Sequence, residues 1–521
     1  MRRTRTPLGP GLGPLTLLNC ALALALLAGL ATCYLVDRAR SCGDGGERID
    51  GECVTVTDGS YVFSDRLRGV LGQIRAENRR VSKEQHATIA LMIPMDAATP
   101  AGREQILHEV QGAYFAQHQA NRASPPRIRL LLANPGRDRG HWRPVADRLA
   151  RLTGAPDNLR VVFGFDRSVP ETAAALSYLT NTLHLPAVGG PVTADSLANG
   201  GRGATRYEGF ARVVPTNTEQ ADALVHYDRD LDPRRAILVQ DERPGDPYAA
   251  ALRRVFARKL AESPHAPQSF TSEGPDAPSG LEHDFAGMVV TLCVATPPVD
   301  TVYFAGRPVH LRQFINALAT ERACAGTSFK VISGSDAATL YLDKRLDKKR
   351  MLPDKESGRG KITVQYTAIT HPDAWQRGRV PRTGGTPSVL EDLKALARGT
   401  EQGEGPGSIG PVDLADTRTI SVYDSALTAI KGIQVHSQGT HLAPLRRIAH
   451  GWTRLQGQLT AQGASGWICL DNHGNPYDKA VAVVRLDPTL PTPRLVDLAW
   501  PEGSPPKNIS RGRGCVIPQR R

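Results

Sequence analysis

The stretch NTLHLPAVGGPVTADSLANGG, Asn181 to Gly201, decides how the rest of the chain is read. A short apolar run, Leu185 to Val188, breaks into Gly189, Gly190 and Pro191, and then into Thr193, Asp195 and Ser196. Glycines let a backbone approach a neighbour closely, and Thr, Asp and Ser cap a helix or hold a polar group. Upstream, ATIALMIP (Ala87–Pro94), RIRLLLAN (Arg127–Asn134) and LRVVFGF (Leu159–Phe165) show the same pattern, an apolar strand followed by residues at helical spacing. Downstream, FARVVPTN, RRAILVQDE, DTVYFAGR, FKVISGSD and KITVQYTAI repeat it. This alternation predicts an α/β chain whose parallel sheets are covered on both faces, arranged as two lobes. SGWICLDNHGNPYDKAVAVVRL (Ser465–Leu486) reads as an antiparallel hairpin turning at Asn472 to Asn475. The Pro-rich end, Asp487 to Arg521, reads as extended.

Composition sets the limits around this reading. At 521 residues the chain is long enough for roughly two to four domains. Apolar content of 40% and charged content of 22% belong to a globular protein, and 5% aromatic residues speak against a nucleic-acid stacking surface. The net charge of +12 has two readings: attraction to anionic polymers, or an arginine-rich coding bias. The basic run Lys344 to Lys361 is interleaved with carboxylates and reads as a solvated loop.

Arg2, Arg3 and Arg5 precede Pro14 to Val36, an uncharged apolar run long enough to span a bilayer. The basic flank predicts a single-pass anchor in the cell membrane, with the bulk of the chain on the extracytoplasmic side. A cleaved signal and a lipoprotein signal ending at Cys33 are the competing readings. Six cysteines lie beyond the run, with no CxxC among them, and export predicts three disulfides. Sequence proximity favours Cys42–Cys53, Cys293–Cys324 and Cys469–Cys515, although other pairings stay formally open.

PAVGGPVTADSL, FARVVPTNTEQADAL, VYFAGR, VISGSD, YDSALTAI and GASGWICLDNHGNPYDKAV occur in an order and separation that resemble the branched-chain amino-acid (Leu/Ile/Val) binding family of ABC-transporter solute receptors. That family has the type I periplasmic-binding fold. The resemblance runs from about Ala87 to Leu486. It implies two parallel-sheet lobes joined by three crossovers, near Val213–Thr216, Gln365–Thr370 and Gln456–Ala464, behind the N-terminal transmembrane helix. The organisation expected is a basic segment 1–13, the anchor 14–36, a tether with a disulfide loop 37–85, first lobe 86–215, second lobe 216–368, first lobe again 369–458, a closing hairpin of the second lobe 459–490, and a tail 491–521.

In open α/β sheets ligands sit beyond the carboxyl ends of strands, where helices begin. The resemblance places backbone of Gly189 and Gly190 and the hydroxyls of Thr193 and Ser168 at a ligand carboxylate, and Asp336 at its ammonium group. Asp246 or Tyr248 would stand at an aromatic wall, and Arg307 would face the same cleft. Each has a plainer reading. Thr193, Asp195, Ser196 or Asp336 can cap a helix, Tyr248 can be a core ring, and Arg307 can be an interlobe ion-pair residue. Asp166 and Arg167 stand where the family commonly has small or apolar residues, which puts the identity of the ligand in doubt.

GxSxG, HExxH and P-loop patterns are missing from the sequence, so no enzyme is expected. The expectation is a membrane-tethered solute-binding protein that closes on an amino acid or amide-like ligand, without cofactor, metal or nucleic acid. An ABC permease is the expected partner. The alternative is a sensory or envelope-interaction module of the same fold acting through a partner protein.

Overall fold

β3 (His86–Met92) is buried along its whole length, and its side chains divide between two cores. Ile89 and Leu91 face one core, and Ala90 and Met92 face the other. This is what period-two alternation gives in a strand covered on both sides. The computed structural model describes residues 42–43, 46–200, 206–228, 231–277, 280–375, 387–403, 405–438, 441–506, 515 and 517.

The first sheet has the order β1-β2-β4-β3-β5-β6-β7. It comprises β1 (Glu47–Ile49), β2 (Glu52–Thr57), β3, β4 (Arg127–Asn134), β5 (Leu159–Gly164), β6 (Ala187–Gly189) and β7 (Phe210–Arg212). The five strands from β4 to β7 are parallel, and β2 joins antiparallel to β4. Helices α1 (Arg68–Val81), α2 (Pro100–Ala120), α3 (Trp142–Arg151) and α4 (Pro170–Ser177) belong to this lobe. Residues 37–85 were expected as a tether. In the described part, β1, β2 and α1 are instead built into the lobe, because Val54 and Val56 bury against its core.

The second sheet has the order β16-β15-β12-β11-β10-β8-β9. β8 (Ala236–Asp241), β9 (Gln268–Phe270), β10 (Thr301–Ala305), β11 (Phe329–Ser333) and β12 (Ile362–Ala368) are parallel. β15 (Val481–Leu486) and β16 (Arg494–Ala499) complete it antiparallel. Its helices are α5 (Asn217–Tyr227), α6 (Pro247–Lys259), α7 (Glu282–Cys293) and α8 (Pro308–Leu318). Thr216 and Glu219 form a capping box that starts α5 directly after the first crossing.

After β12 the chain passes through α9 (Pro387–Glu401) into α10 (Arg418–His436), which lies along α2 in the first lobe. The approach is close. A Cβ on Gly112 of α2 would stand 2.2 Å from the carbonyl oxygen of Thr419. The chain finally returns to the second sheet at β15.

Two expectations about this last part are corrected. Ser465–Leu486 is not one hairpin: β14 (Gly466–Ile468) pairs with β13 (Ala461–Gly463), while β15 pairs with β12 and β16. The buried carboxylate of Asp424 on α10 accepts the Ala464 and Ser465 N–H groups and holds the small hairpin on the first lobe, so the third crossing falls after it rather than at Gln456–Ala464. The tail is also not merely extended, since β16 pairs along β15.

Cys42–Cys53, Cys293–Cys324 and Cys469–Cys515 are the disulfides, the pairing favoured by proximity. The expected anchor, Pro14 to Val36, lies outside the described residues. Among the described residues no helix is long and apolar enough to cross a membrane.

Candidate functional site

The carboxyl ends of β5, β8, β10 and β11 meet between the lobes. At the end of β5 the backbone turns sharply, with positive φ at Phe165 (74°) and Asp166 (51°), a region that non-glycine residues enter at a cost of about 1–3 kcal/mol each. The turn drives the Asp166 carboxylate inward, where only 5% of the residue stays exposed. Arg139 bonds it from one side, and Arg418, the first residue of α10, from the other at 3.3 Å. Burial pushes the Asp166 carboxyl up, but Arg139, Arg167 and Arg418 outweigh it and hold it at about 2. Arg418 also donates to Glu109 of α2 at 2.9 Å. Glu109 is fully buried, and burial together with the charge of Asp166 pushes its carboxyl up to about 8 against the pull of Arg418.

From the second lobe comes Arg307, which follows β10 and is 1% exposed. Its guanidinium donates to Asp246 at 2.7 and 2.9 Å and to Asp336 at 2.7 Å, and it lies 4.6 Å from the ring centre of Tyr248. Asp246 also accepts from the Tyr248 and Ala249 N–H groups at the start of α6. Burial raises its carboxyl, and Arg307 with these N–H groups reverses that to about 2.

Three contacts of this centre cross between the lobes. Arg307 donates to the Ser168 carbonyl oxygen at 2.6 Å, Arg167 bridges both oxygens of Asp276 at 2.6 and 2.7 Å, and Arg418 reaches within 3.8 Å of Asp336. With Arg139 and Arg243 included, the centre sets five guanidiniums against five carboxylates. Glu109 keeps its proton up to about pH 8, so the other four carboxylates supply the counter-charge at neutral pH.

Ser168, Thr193, Asp246, Tyr248, Arg307 and Asp336 are thus brought together, but their polar atoms face one another. Ser168 Oγ accepts the N–H groups of Thr193 and Ala194, each at 3.1 Å. Tyr248 is a core ring whose hydroxyl accepts the Asp336 N–H at 3.1 Å. Arg307 is an ion-pair residue, but its pairs with Asp246 and Asp336 lie inside the second lobe, and what crosses to the first lobe is its hydrogen bond to the Ser168 carbonyl. Gly189 and Gly190 answer to packing. A Cβ on Gly189 would meet the Phe210 ring at 2.8 Å, and one on Gly190 would meet Ser425 of α10 at 3.1 Å. Asp195 fastens the loop to the second lobe, accepting from the Thr218 N–H at 3.0 Å and hydroxyl at 2.8 Å and from Arg254 at 2.9 Å. The opening stretch is therefore one side of the hinge.

Glu109, Asp276 and Arg418 were not anticipated. Arg418 opens a helix five residues before Tyr423, where YDSALTAI begins, Asp276 lies in a Pro/Gly-rich loop, and Glu109 looks like one polar position of an amphipathic helix. Asp166 and Arg167 did carry a signal, as charged residues at the end of an otherwise apolar strand.

Two cavities adjoin this centre. The inner one, about 30 Å³ beside Gln105, Asp336 and Arg418, has room for water and not for a solute. The outer one, about 580 Å³, lies at the cleft mouth between the 94–106, 137–141 and 166–171 segments of the first lobe and the 243–245 and 274–277 loops of the second. That volume is typical of small-molecule sites. Among the described residues no group of three or more His, Cys, Asp or Glu is placed to hold a metal ion.

Two lobes of parallel strands, crossed three times by the chain and meeting over a cleft, define the type I periplasmic-binding fold. The chain is similar to the leucine binding protein LivK of Thermotoga maritima, with a TM-score of 0.56 and 15% identity over 80% of this chain and 99% of that one. It is also similar to the branched-chain amino acid transporter substrate binding protein LivJ of Streptococcus pneumoniae in complex with isoleucine, with a TM-score of 0.54 and 14% identity over 80% and 99%. A solute binding protein of an ABC transporter from Rhodopseudomonas palustris, in complex with p-hydroxybenzoic acid, gives 0.53 and 14% over 79% and 96%. No family model and no curated protein matches the sequence.

Proposed function

We propose that this chain is an extracytoplasmic solute-binding receptor, tethered through Pro14–Val36, that takes a small polar solute into the interlobe cleft and closes around it to present a bound form to an ABC permease. The observation that carries the reading is the 580 Å³ cavity beyond the carboxyl ends of the strands, where loops of both lobes converge over the ion-pair centre. A solute there touches both lobes at once, and it favours the closed arrangement to the extent that it binds that arrangement more tightly. The solute sits outward of the residues expected from the sequence. An amino acid held between Ser168 and Asp336 would have to break the bonds these residues make with Thr193, Ala194 and Arg307. The leucine and branched-chain amino acid binding proteins that share this fold support a receptor rather than an enzyme.

The test is a thermal-shift screen of the purified full-length chain against amino acids, amides, amines, organic acids and short peptides. A solute at a hundred times its Kd stabilises the folded state by about 2.7 kcal/mol, so its chemical class should stand out by a rise in Tm. A flat response across every class overturns the reading.

A further inference from the structure

We infer that the solute taken by the cleft mouth is an organic cation, an amine or guanidine carried on a short body; this rests on the receptor reading above. The protein as a whole has a net charge of +12, yet the outer cavity is lined by seven carboxylates against four guanidiniums. The local sign is opposite to that of the whole molecule.

The four guanidiniums are already engaged. Arg137 is bonded to Asp96 at 2.7 Å, Arg139 to Asp166, Arg167 to Asp276, and Arg243 to Asp246 at 2.6 Å. Each guanidinium charge is thus already matched by a carboxylate, and among the described residues only single Nε–H donors of Arg139 and Arg243 are left over. Carboxylates, by contrast, remain available. Glu171, half-buried at the start of α4, has no side-chain partner among the described residues, and Asp138 accepts only the N–H of Gly140, at 2.9 Å.

Charge alone would not make a site, but Gln105 adds a second observation. It is 7% exposed and lines both cavities, and its amide nitrogen donates to nothing among the described residues. Its amide oxygen accepts from Arg167 at 3.5 Å, which leaves the N–H groups of this nine-tenths buried side chain to donate into the space between the lobes. The remaining wall, including Pro94, Ile106, Val169 and Pro244, is apolar and suits methylene carbons. Surplus carboxylates in a cleft with low-dielectric walls concentrate cations and repel anions. A cation with an alkyl body and a hydrogen-bond acceptor within reach of Gln105 meets each of these features.

The experiment uses the full-length chain with putrescine, spermidine and agmatine as cationic probes, leucine as a zwitterion, and glutamate and p-hydroxybenzoate as anions. At least one cationic probe should raise Tm and bind in calorimetry, and its affinity should fall as salt rises. Glu171→Gln and Asp138→Asn should each weaken it by about tenfold without lowering the Tm of the free protein. Stabilisation by leucine or the anions, with the cations inert, would overturn the cation assignment and leave the receptor reading standing. Cation binding unchanged in both variants would overturn the placement at this cavity. No response to any probe, nor to any class in the wider screen, would overturn the receptor reading itself.

Discussion

Arg307→Ala is expected to cost about 3–5 kcal/mol of unfolding free energy, because it strips the counter-charge from two buried carboxylates at once. Asp246 is fully enclosed and is left with Arg243 at 2.6 Å, and Asp336 retains only the 3.8 Å approach of Arg418. The same substitution removes the 2.6 Å bond to the Ser168 carbonyl, so the lobes lose a contact as well as the second lobe losing an anchor. Urea titration of the full-length chain, followed by tryptophan fluorescence, measures the change. Arg307→Lys should recover only part of the loss, since an ammonium cannot reproduce the forked contacts to Asp246, Asp336 and Ser168 together. Asp336→Asn in the Arg307→Ala background should restore part of the stability, because it removes the carboxylate left with no cation closer than 3.8 Å. A wild-type midpoint in Arg307→Ala would show that the centre is hydrated and energetically idle.

The second large effect is a pH dependence carried by Glu109. Its carboxyl is pushed up to about 8 in the folded chain from an ordinary 4.5, so the folded state holds this proton more tightly than the unfolded state does. The stabilising contribution is complete below pH 4.5 and is lost as pH rises through 8. Its size is on the order of a few kcal/mol for a shift of this extent. Asp166 and Asp246 are held at about 2, so their contribution is lost only in stronger acid, as pH falls below their ordinary 3.8. The difference in stability between wild type and Glu109→Gln, measured from pH 5 to 8, isolates the group. The wild type should lose ground to the variant steadily as pH rises. Parallel curves would mean that Arg418 keeps Glu109 ionised throughout.

The strands of both lobes were legible because they are continuous apolar runs bounded by turn residues; β4, for instance, occupies the whole of Arg127–Asn134. β1, β2 and β16 were not, being short or half-polar edge strands whose pairing depends on partners distant in sequence. The hairpin at Ser465–Leu486 misled for a related reason. Its turn is real, with Leu470 bridging Pro476, but the runs on either side belong to different sheets. The site was legible in position and not in chemistry. Ser168, Arg307 and Asp336 stand at strand ends because the fold puts them there, whereas the ion-pair network around them also draws in Arg418, a residue more than eighty positions beyond Asp336. A charged residue on an amphipathic helix, such as Glu109, reads as solvent-facing until the second helix that covers it, α10, is in place.

The central claim is that solute binding and lobe closure are one event, and the distance between the lobes tests it most directly. Spin labels at the exposed positions Arg143 in the first lobe and Thr271 in the second, in the full-length chain, report that distance by pulsed electron resonance. With a solute whose binding calorimetry has established, the distribution should shorten and narrow. Arg307→Ala should shift it towards longer distances when no solute is added. Identical distributions with and without a bound solute would contradict the account.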